Sequence, residues 1–389
     1  MINKIKQLAE SAFDEVVEIR RHIHKNPELS FKEYKTSAYI KSVLISWDIS
    51  FTEDIADTGI VVLLEGNNPS SKTIALRADF DALPITEEND IDYCSVNKGV
   101  MHACGHDAHT ASMLGAVKIL NSIKQEWEGS VKFIFQPAEE MLPGGAQQMI
   151  KEGVLENPKV EKMIGQHVFP DLEVGKVGFC SGKYMASTDE LHITINGKGG
   201  HAALTEKYNN PLLAAAKLIL DLESSFVKDK KLPSVLAIGF IEGLGSTNVI
   251  PDKVRLKGTL RAMDEDFRAT AHKRMHEIAK EVANSYNLEI DFDIRKGYPS
   301  LVNDVVLTES AIVLAKEYLG TENVIDLPIR MTAEDFAYYS HQVPSCFYRL
   351  GTRNEQKGIV HGLHTSKFNI DEESLKIGMG LMAYLAIKN

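Results

Sequence analysis

Two kinds of hydrophobic pattern alternate along the first half of the chain. Stretches in which apolar residues recur every three or four positions predict amphipathic helices, and short runs rich in Val, Ile, Leu and Phe predict buried strands. This alternation is typical of a mostly parallel sheet with helices on both faces, whose functional residues lie at the carboxyl ends of the strands. The predicted helices cover residues 5–25, 36–46, 109–125 and 145–152, and the predicted strands cover residues 60–64, 73–78, 131–136 and 162–168.

The pattern changes near residue 185. From there the predicted elements follow the order β-α-β-β-α-β, which is the ferredoxin-like order and completes a small α+β domain. The α/β alternation resumes after Tyr298-Pro299. We therefore predict an α/β domain formed by residues 1–184 and 299–389, interrupted by an inserted domain at residues 185–298. Within the insertion, strands are predicted at 189–195, 235–242, 254–262 and 288–294, and helices at 211–226 and 264–286; after it, helices are predicted at 308–318 and 372–386 and strands at 324–327 and 346–350.

The composition is that of an ordinary globular protein. A chain of 389 residues is longer than a single hydrophobic core usually supports, which also favours two domains. The formal net charge of −11 argues against nucleic acid or an anionic membrane as a partner. Four cysteines are too few and too scattered for a disulfide framework, and no apolar run has the length of a membrane span. The first residues mix charged and apolar positions, unlike a signal peptide. We expect a cytoplasmic protein.

Residues 101–109 combine one thiol, three imidazoles and one carboxylate directly before a predicted helix. Thiolate and imidazole are the usual ligands of borderline-soft divalent metals. Cys104 and His106 are too close in sequence to share one helical face, but a loop through Gly105 would let both side chains turn toward one point. A buried cysteine beside a helix cap is the alternative interpretation.

Three further segments offer matching ligands. Glu139 and Glu140 follow a predicted strand, and in extended backbone adjacent side chains point in opposite directions, so one could bind metal while the other faces a substrate. His167 ends the next strand, and His364 lies in a polar loop. Taken singly, each has a structural alternative, as a solvated glutamate or a partly buried histidine. Together they predict two metal ions about 3.5–4 Å apart with an open position for water. The predicted ligand set is Cys104, His106, Glu140, His167 and His364.

These segments together resemble the dinuclear metal amidohydrolases of the aminoacylase–carboxypeptidase group. The resemblance is greatest to the branch of hippurate hydrolases, indole-acetyl-amino-acid hydrolases and N-acetyldiaminopimelate deacetylases. The resembling segments run from one end of the chain to the other: RRHIHKNPELS at 20–30, LRADFDALP at 76–84, MHACGHDAH at 101–109, QPAEE at 136–140, GKGGHA at 197–202, and His364 followed by Phe368.

The resemblance implies a metal-binding catalytic α/β domain interrupted by a lid domain through which two chains form a homodimer. It implies that the ligand set holds two divalent ions, Zn, Mn, Co or Ni, and that Glu139 is the general base. It further implies that Asp81 is an active-site aspartate that orients a neighbouring group. His201 corresponds to the lid histidine that polarises the scissile carbonyl, usually in the partner subunit's site. Asn248 corresponds to a substrate contact of the lid.

Several neighbouring residues have simpler structural interpretations. Asp79 and Asp81 could bond backbone amides where their strand ends. Asp107 and His109 are expected to support the ligands or cap the helix rather than bind metal. The segment 332–335 fits a capping box for a following helix.

The predicted function is metal-dependent hydrolysis of the amide bond of N-acyl amino acids, such as N-acetyl or benzoyl derivatives. A dipeptidase or carboxypeptidase acting on short peptides is the nearest alternative. A silent homologue that only binds acyl-amino acids is disfavoured because binding alone requires no base at position 139. A purely structural zinc site is disfavoured because such sites use ligand pairs at short sequence spacing.

Overall fold

The computed structural model describes residues 1–226 and 233–389. The chain divides into two compact units. Unit 1 comprises Met1–Gly182, Val302–Pro328 and Asp335–Asn389, and unit 2 comprises Lys183–Leu301 and Ile329–Glu334. The helices are α1 Ile2–Lys25, α2 Tyr34–Ser46, α3 His106–Ser122, α4 Gly145–Lys151, α5 Pro211–Ser225, α6 Glu265–Tyr286, α7 Val305–Leu319, α8 Ala337–Ser340 and α9 Ser374–Lys388. The strands are β1 Thr52–Ile55, β2 Gly59–Glu65, β3 Thr73–Asp79, β4 Ser130–Gln136, β5 Lys162–Glu173, β6 Val177–Phe179, β7 Gly182–Met185, β8 Asp189–Asn196, β9 Gly200–His201, β10 Ser234–Glu242, β11 Val249–Ile250, β12 Lys253–Ala262, β13 Glu289–Lys296, β14 Leu301–Asn303, β15 Val324–Asp326 and β16 Ser345–Arg353.

Unit 1 is built on an eight-stranded sheet with the order β1-β2-β4-β3-β5-β16-β6-β15. The four central strands β4, β3, β5 and β16 run parallel to one another. Every residue of β3 and β4 is buried, as expected for strands covered on both faces. Asp79 pairs with Gln136, so β3 and β4 end in register. The residues that follow these strands therefore meet at one edge of the sheet.

Helix α3 is buried along most of its length because α1 and α9 both pack against it. This packing forms the main hydrophobic core of unit 1, together with the apolar residues of the central strands. The amphipathic pattern that predicts α1 corresponds to its buried positions, among them Ile5, Val16, Ile19 and Ile23. The loop before α3 is thereby anchored to the centre of unit 1.

Unit 2 contains a four-stranded antiparallel sheet with the order β10-β12-β8-β13. Helices α5 and α6 pack on this sheet around a core that includes Leu191, Leu218 and Met275. The chain order β8-α5-β10-β12-α6-β13, combined with this strand order, is ferredoxin-like. The predicted fold class, a mostly parallel α/β sheet interrupted by a ferredoxin-like insertion, is therefore confirmed.

Several local features differ from the sequence-based expectation. Helix α3 begins at His106, three residues before the predicted start at 109. The short strands β1, β6, β7, β9, β11 and β14 were not predicted, because two to four residues are too few to show a period. The capping box at 332–335 is wrong: α8 begins at Ala337, its N-cap position is Phe336, and no side chain caps it. Among the residues that the structure describes, no helix is both long and apolar enough to cross a membrane.

Candidate metal centre

The loop before α3 turns at Gly105, as the sequence predicts. Gly105 has a φ of 82°, in the left-handed region that favours glycine. A Cβ at this position would lie 2.5 Å from Cγ2 of Val168, so a larger residue would also collide with β5. Cys104 and His106 lie on either side of this turn, and both are buried. The turn lets their side chains approach the same point.

The five predicted ligands meet at the carboxyl edge of the unit 1 sheet. Potential ligand atoms of Cys104, His106 and His167 lie within 4.8 Å of one another, and so do those of Cys104, Glu140 and His364. The Cys104 sulfur is 3.4 Å from Nε2 of His167 and 3.4 Å from Nε2 of His364. The backbone N–H of His364 donates to the Ala103 carbonyl at 2.8 Å, which ties the distant loop to the cysteine. Cys104 therefore belongs to both groups.

Two of the ligand histidines are oriented by backbone carbonyls. Nδ1 of His106 donates to the Asp81 carbonyl at 2.9 Å, and Nδ1 of His167 donates to the Val168 carbonyl at 2.7 Å. With the proton on Nδ1, the Nε2 lone pair of each ring is available to a metal. Nε2 of His106 is buried and has no hydrogen-bond partner among the described residues. The thiol, imidazoles and carboxylate of this group fit a borderline-soft divalent cation, and the unpaired Nε2 of His106 is available to bind one.

The two adjacent glutamates do not point in opposite directions, and this part of the prediction is wrong. Ala138 has a φ of 53°, so the backbone bends after β4 instead of continuing extended. As a result, one oxygen of Glu139 and one of Glu140 each lie 4.0 Å from Nε2 of His106. Glu140 is also 3.2 Å from Nε2 of His364, whereas Glu139 Oε1 accepts the backbone N–H of Asp335 at 3.4 Å. Both carboxylates thus lie near His106, but Glu140 also lies near His364 and Glu139 near the backbone of Asp335.

Asp81 connects a ligand histidine with the turn that carries the glutamates. Its Oδ1 lies 3.1 Å from Nδ1 of His106, and its Oδ2 accepts the backbone N–H of Glu140 at 2.9 Å. The Ser30 hydroxyl donates to Oδ2 at 2.6 Å. The expectation that Asp81 bonds a backbone amide is confirmed.

A buried polar network behind the ligands was missed in the sequence. The Arg77 guanidinium contacts the carboxylates of Asp79 and Asp335. Asp79 also accepts from Nδ1 of His109 at 2.5 Å, so the expectation that it bonds backbone amides is wrong. Nε2 of His109 accepts the backbone N–H of Val168 at 2.9 Å, which leaves His109 no lone pair for a metal. Charged residues inside an otherwise apolar strand were the signal that could have revealed this network.

Burial and neighbouring charges shift the pKa values of the potential ligands. Burial disfavours the charged form of His106, but the Asp79 carboxylate helps to raise its pKa to about 10. Burial lowers the pKa of His167 well below its usual range. Burial, reinforced by the Glu140 carboxylate, raises the pKa of the Cys104 thiol. Metal binding requires a thiolate and neutral imidazoles, so a divalent cation would displace protons from this cluster.

His201 and Asn248 lie in unit 2, and the structure brings them together there. β9, which contains His201, pairs with β11, and the backbone N–H of Ala202 donates to the Asn248 carbonyl at 2.9 Å. Both residues are exposed. Nδ1 of His201 accepts the backbone N–H of Ala203 at 3.1 Å, so the neutral ring carries its proton on Nε2.

A mostly parallel sheet with thiol, imidazole and carboxylate groups at its carboxyl edge is an arrangement that can hold divalent metal ions. Residues 75–388 match the model of peptidase family M20/M25/M40. The chain is similar to thermostable carboxypeptidase 2 of Saccharolobus solfataricus, at 36% identity over 100% of this chain and 98% of that protein. It is also similar to N-acetyl-L-cysteine deacetylase of Bacillus subtilis, at 36% identity over 93% of this chain and 85% of that protein.

A solved structure extends the similarity to three dimensions. The YXEP protein of Bacillus subtilis, a dinuclear metal binding peptidase from the M20 family, has a TM-score of 0.83 and 32% identity, covering 97% of this chain and 98% of that chain. The chain therefore belongs to peptidase family M20/M25/M40 and is a metal-dependent hydrolase.

Proposed function

We propose that this protein hydrolyses the amide bond of N-acyl amino acids and releases a carboxylic acid and a free amino acid. The observation that carries the proposal is the convergence of five potential ligands with the additional Glu139 carboxylate beside them. The N-acetyl-L-cysteine deacetylase relative, with its substrate in its name, supports the substrate class. A site that only bound such molecules would require no carboxylate in the position of a base.

Two divalent ions, Zn, Mn, Co or Ni, are the cofactors of this proposal. Cys104, His106, Glu140, His167 and His364 would hold them, with Cys104 available to both because it belongs to both groups of ligands. When bound, such ions supply Lewis-acid activation of water and of the scissile carbonyl. Asp81 is assigned to orientation, because it contacts both His106 and the backbone of Glu140.

Glu139 is the general base in this mechanism. Its side chain is only 8% exposed, it lies beside the ligands, and it can take a proton from the attacking water and return it to the leaving amine. Nε2–H of His201 donates to the carbonyl oxygen as negative charge develops there. Asn248 binds the substrate next to His201. The amide bond is cleaved as the amine leaves with the proton that Glu139 carried.

We also propose that the inserted domain, residues 185–298, acts as a lid and joins two chains into a homodimer. β10 is an end strand of its sheet, and Val235, Phe240 and Ile241 on this strand are 41%, 41% and 57% exposed. An apolar edge strand is a ready surface for pairing with another chain. A second copy presents the same edge, so a two-fold pair covers both edges at once. Light scattering of the purified protein should give twice the chain mass, and a monomeric mass would contradict the dimer.

A peptidase acting on dipeptides or on peptide carboxyl termini is the second candidate, because the chain is also similar to a carboxypeptidase. Both reactions use the same metal and base chemistry, so rates must separate them. The metal-loaded protein should be assayed with N-acetyl and benzoyl amino acids and with dipeptides of the same residues. A higher kcat/KM for the acyl amino acids supports the proposal, and a higher value for the peptides assigns a peptidase.

Chelation tests the metal requirement. Protein treated with a chelator should lose hydrolysis and regain it with Zn, Mn, Co or Ni. Full activity in protein shown by elemental analysis to contain no metal would exclude this mechanism.

A further inference from the structure

Glu33 is a buried carboxylate outside the ligand set. It immediately precedes α2, and its side chain is 0% exposed. Its Oε1 accepts the backbone N–H of Phe31 at 2.9 Å and that of Ala138 at 2.9 Å. Its Oε2 accepts the Thr58 hydroxyl at 3.3 Å. A carboxylate is tolerated in such a place only with hydrogen bonds of this kind.

Both backbone donors to Glu33 belong to residues in the left-handed region. Phe31 has a φ of 63° and Ala138 has a φ of 53°. Residues with a Cβ rarely adopt this conformation, and a conformation of this type persists when surrounding contacts enforce it. A single carboxylate oxygen therefore stabilises two strained turns, one in the N-terminal segment and one after β4.

The turn at Ala138 directly precedes the proposed base. The Glu33 side chain fixes its N–H, and its carbonyl accepts the backbone N–H of Gly145 at 2.9 Å. Gly145 is required there because a Cβ would lie 1.8 Å from the Pro137 carbonyl oxygen. On the other side of Glu139, the N–H of Glu140 is held by Asp81. The backbone of Glu139 is thus held on both sides, and Glu33 supplies one of these contacts from a distant segment.

We propose that Glu33 is a positioning residue for the general base: by holding the left-handed turn at Ala138, it directs the Glu139 side chain toward the attacking water. This inference rests on the proposed function of Glu139. Glu33 does not touch the substrate or a ligand in this scheme. Its effect should therefore appear in kcat and not in metal content, because the ligand Glu140 is held by Asp81 instead.

The chain offers a matched control at Glu28. The Glu28 carboxylate accepts the backbone N–H and the hydroxyl of Thr36 at 2.8 and 2.9 Å, so it also supports the N-terminal segment. Within the part of the chain that the structure describes, the Glu28 side chain makes no hydrogen bond to the turn at Ala138. Glu28→Ala and Glu33→Ala each leave a backbone N–H in this segment without its carboxylate. Only the second also frees the Ala138 N–H.

The experiment measures kcat, KM, metal content and Tm for Glu33→Ala, Glu33→Gln, Glu28→Ala and Glu139→Gln. Glu33→Ala should lower kcat about ten- to a hundredfold with KM and metal content close to wild type, because a small displacement of a catalytic group has effects of this size. Glu33→Gln keeps an oxygen that accepts from Ala138 and an amide that can donate to the Thr58 hydroxyl, so kcat should stay within about threefold of wild type. Glu28→Ala should lower Tm but leave kcat unchanged.

The possible outcomes distinguish a positioning role of Glu33 from a structural one. An unchanged kcat in Glu33→Ala with a lowered Tm would make Glu33 purely structural and overturn the inference. A fall in kcat that accompanies loss of metal would also overturn it, since Glu33 would then act on the ligands. If Glu33→Ala does not fold, Glu33→Asp, whose shorter side chain cannot keep both backbone contacts, replaces it. An active Glu139→Gln variant would instead show that the proposed function has failed.

Discussion

The ligand cluster of unit 1 and His201 of unit 2 are positioned by opposite means. Three members of the cluster, Cys104, His106 and His167, are buried, and both of these histidine rings are fixed by a backbone carbonyl. The ligand His364 is exposed like His201, but its backbone N–H is tied to the Ala103 carbonyl beside Cys104. His201 is exposed, lies on a two-residue strand, and its ring accepts one hydrogen bond from its own loop, at Ala203. The cluster is therefore organised by one folded unit, whereas the proposed contact of His201 with a substrate would depend on groups outside its loop.

The two regions differ in how far the proposed reaction would be preorganised. Groups that hold cations and move the proton of water must be placed within fractions of an ångström, and a buried network provides this. A group that only stabilises charge in the transition state can arrive with lid closure or with a second chain.

The largest effect is expected at the base. Glu139→Gln should lower kcat by about 10²–10⁴-fold, the usual contribution of a positioned proton acceptor. Its metal content should stay close to wild type, because the five ligands are untouched. Steady-state kinetics combined with elemental analysis checks both statements. An active variant would remove Glu139 from the mechanism.

The adjacent residue Glu140 should respond differently to substitution, because it is assigned as a metal ligand and not as the base. Glu140→Gln should lose metal, because a neutral amide replaces a charged ligand that lies 3.2 Å from Nε2 of His364. Activity should recover in part at high metal concentration, which cannot restore Glu139→Gln. If both variants retain metal equally, the assignment of base and ligand to these two positions is wrong.

The sequence predicts the convergence of the ligands better than their detailed directions. The rule that functional residues lie at the carboxyl ends of parallel strands is enough to bring Glu140 to this edge, and the Gly105 turn follows from the short spacing of Cys104 and His106. His167 was predicted to end its strand, but it lies within β5, which continues to Glu173. The bend at Ala138 could not be predicted, because its left-handed φ is imposed by Glu33 and Gly145, which lie elsewhere in the sequence. The backbone preferences of neighbouring residues do not depend on such distant contacts, so these preferences could not indicate the bend.

The polar network behind the site was missed for a related reason. Asp335 is followed by the short helix α8, so its carboxylate looked like part of a helix cap. In the structure it accepts instead from Arg77, which is separated from it by most of the chain. Residues so far apart in sequence come into contact only in the folded sheet, so the sequence alone did not reveal this ion pair.

At the exposed His201, substitution by alanine (His201→Ala) should lower kcat by about 10²–10³-fold, as expected for one lost oxyanion donor. Metal content and Tm should not change, because within residues 1–226 and 233–389 the exposed ring accepts a hydrogen bond only from its own loop. His201→Gln, which retains an N–H donor, is the matched variant and should lose less activity. Equal kcat in all three proteins would exclude His201 from the reaction.

Mixed dimers test whether His201 serves the neighbouring site. Neither His201→Ala nor Glu139→Gln should be appreciably active alone. If the histidine acts across the dimer, one site of each heterodimer combines an intact base with an intact histidine, and full statistical exchange should restore about a quarter of wild-type activity. Heterodimer formation must be shown with differently tagged chains. Heterodimers that form and remain inactive would place His201 in its own chain's site or outside the reaction.

The smallest effect concerns stability on the buried side. Burial, together with the nearby Asp81 carboxylate, raises the pKa of Glu33 to about 7 from its ordinary value of 4.5. The folded protein then binds this proton more tightly than the unfolded chain, so the contribution of Glu33 to stability is fully present below pH 4.5 and is lost as the pH rises through 7. Glu33→Gln cannot titrate and should gain roughly 1–3 kcal/mol relative to wild type across this interval. The difference in Tm between the two chelator-treated proteins should therefore widen from pH 5 to pH 8 in favour of the variant. A constant difference would show that burial does not raise the pKa of Glu33 in the folded protein.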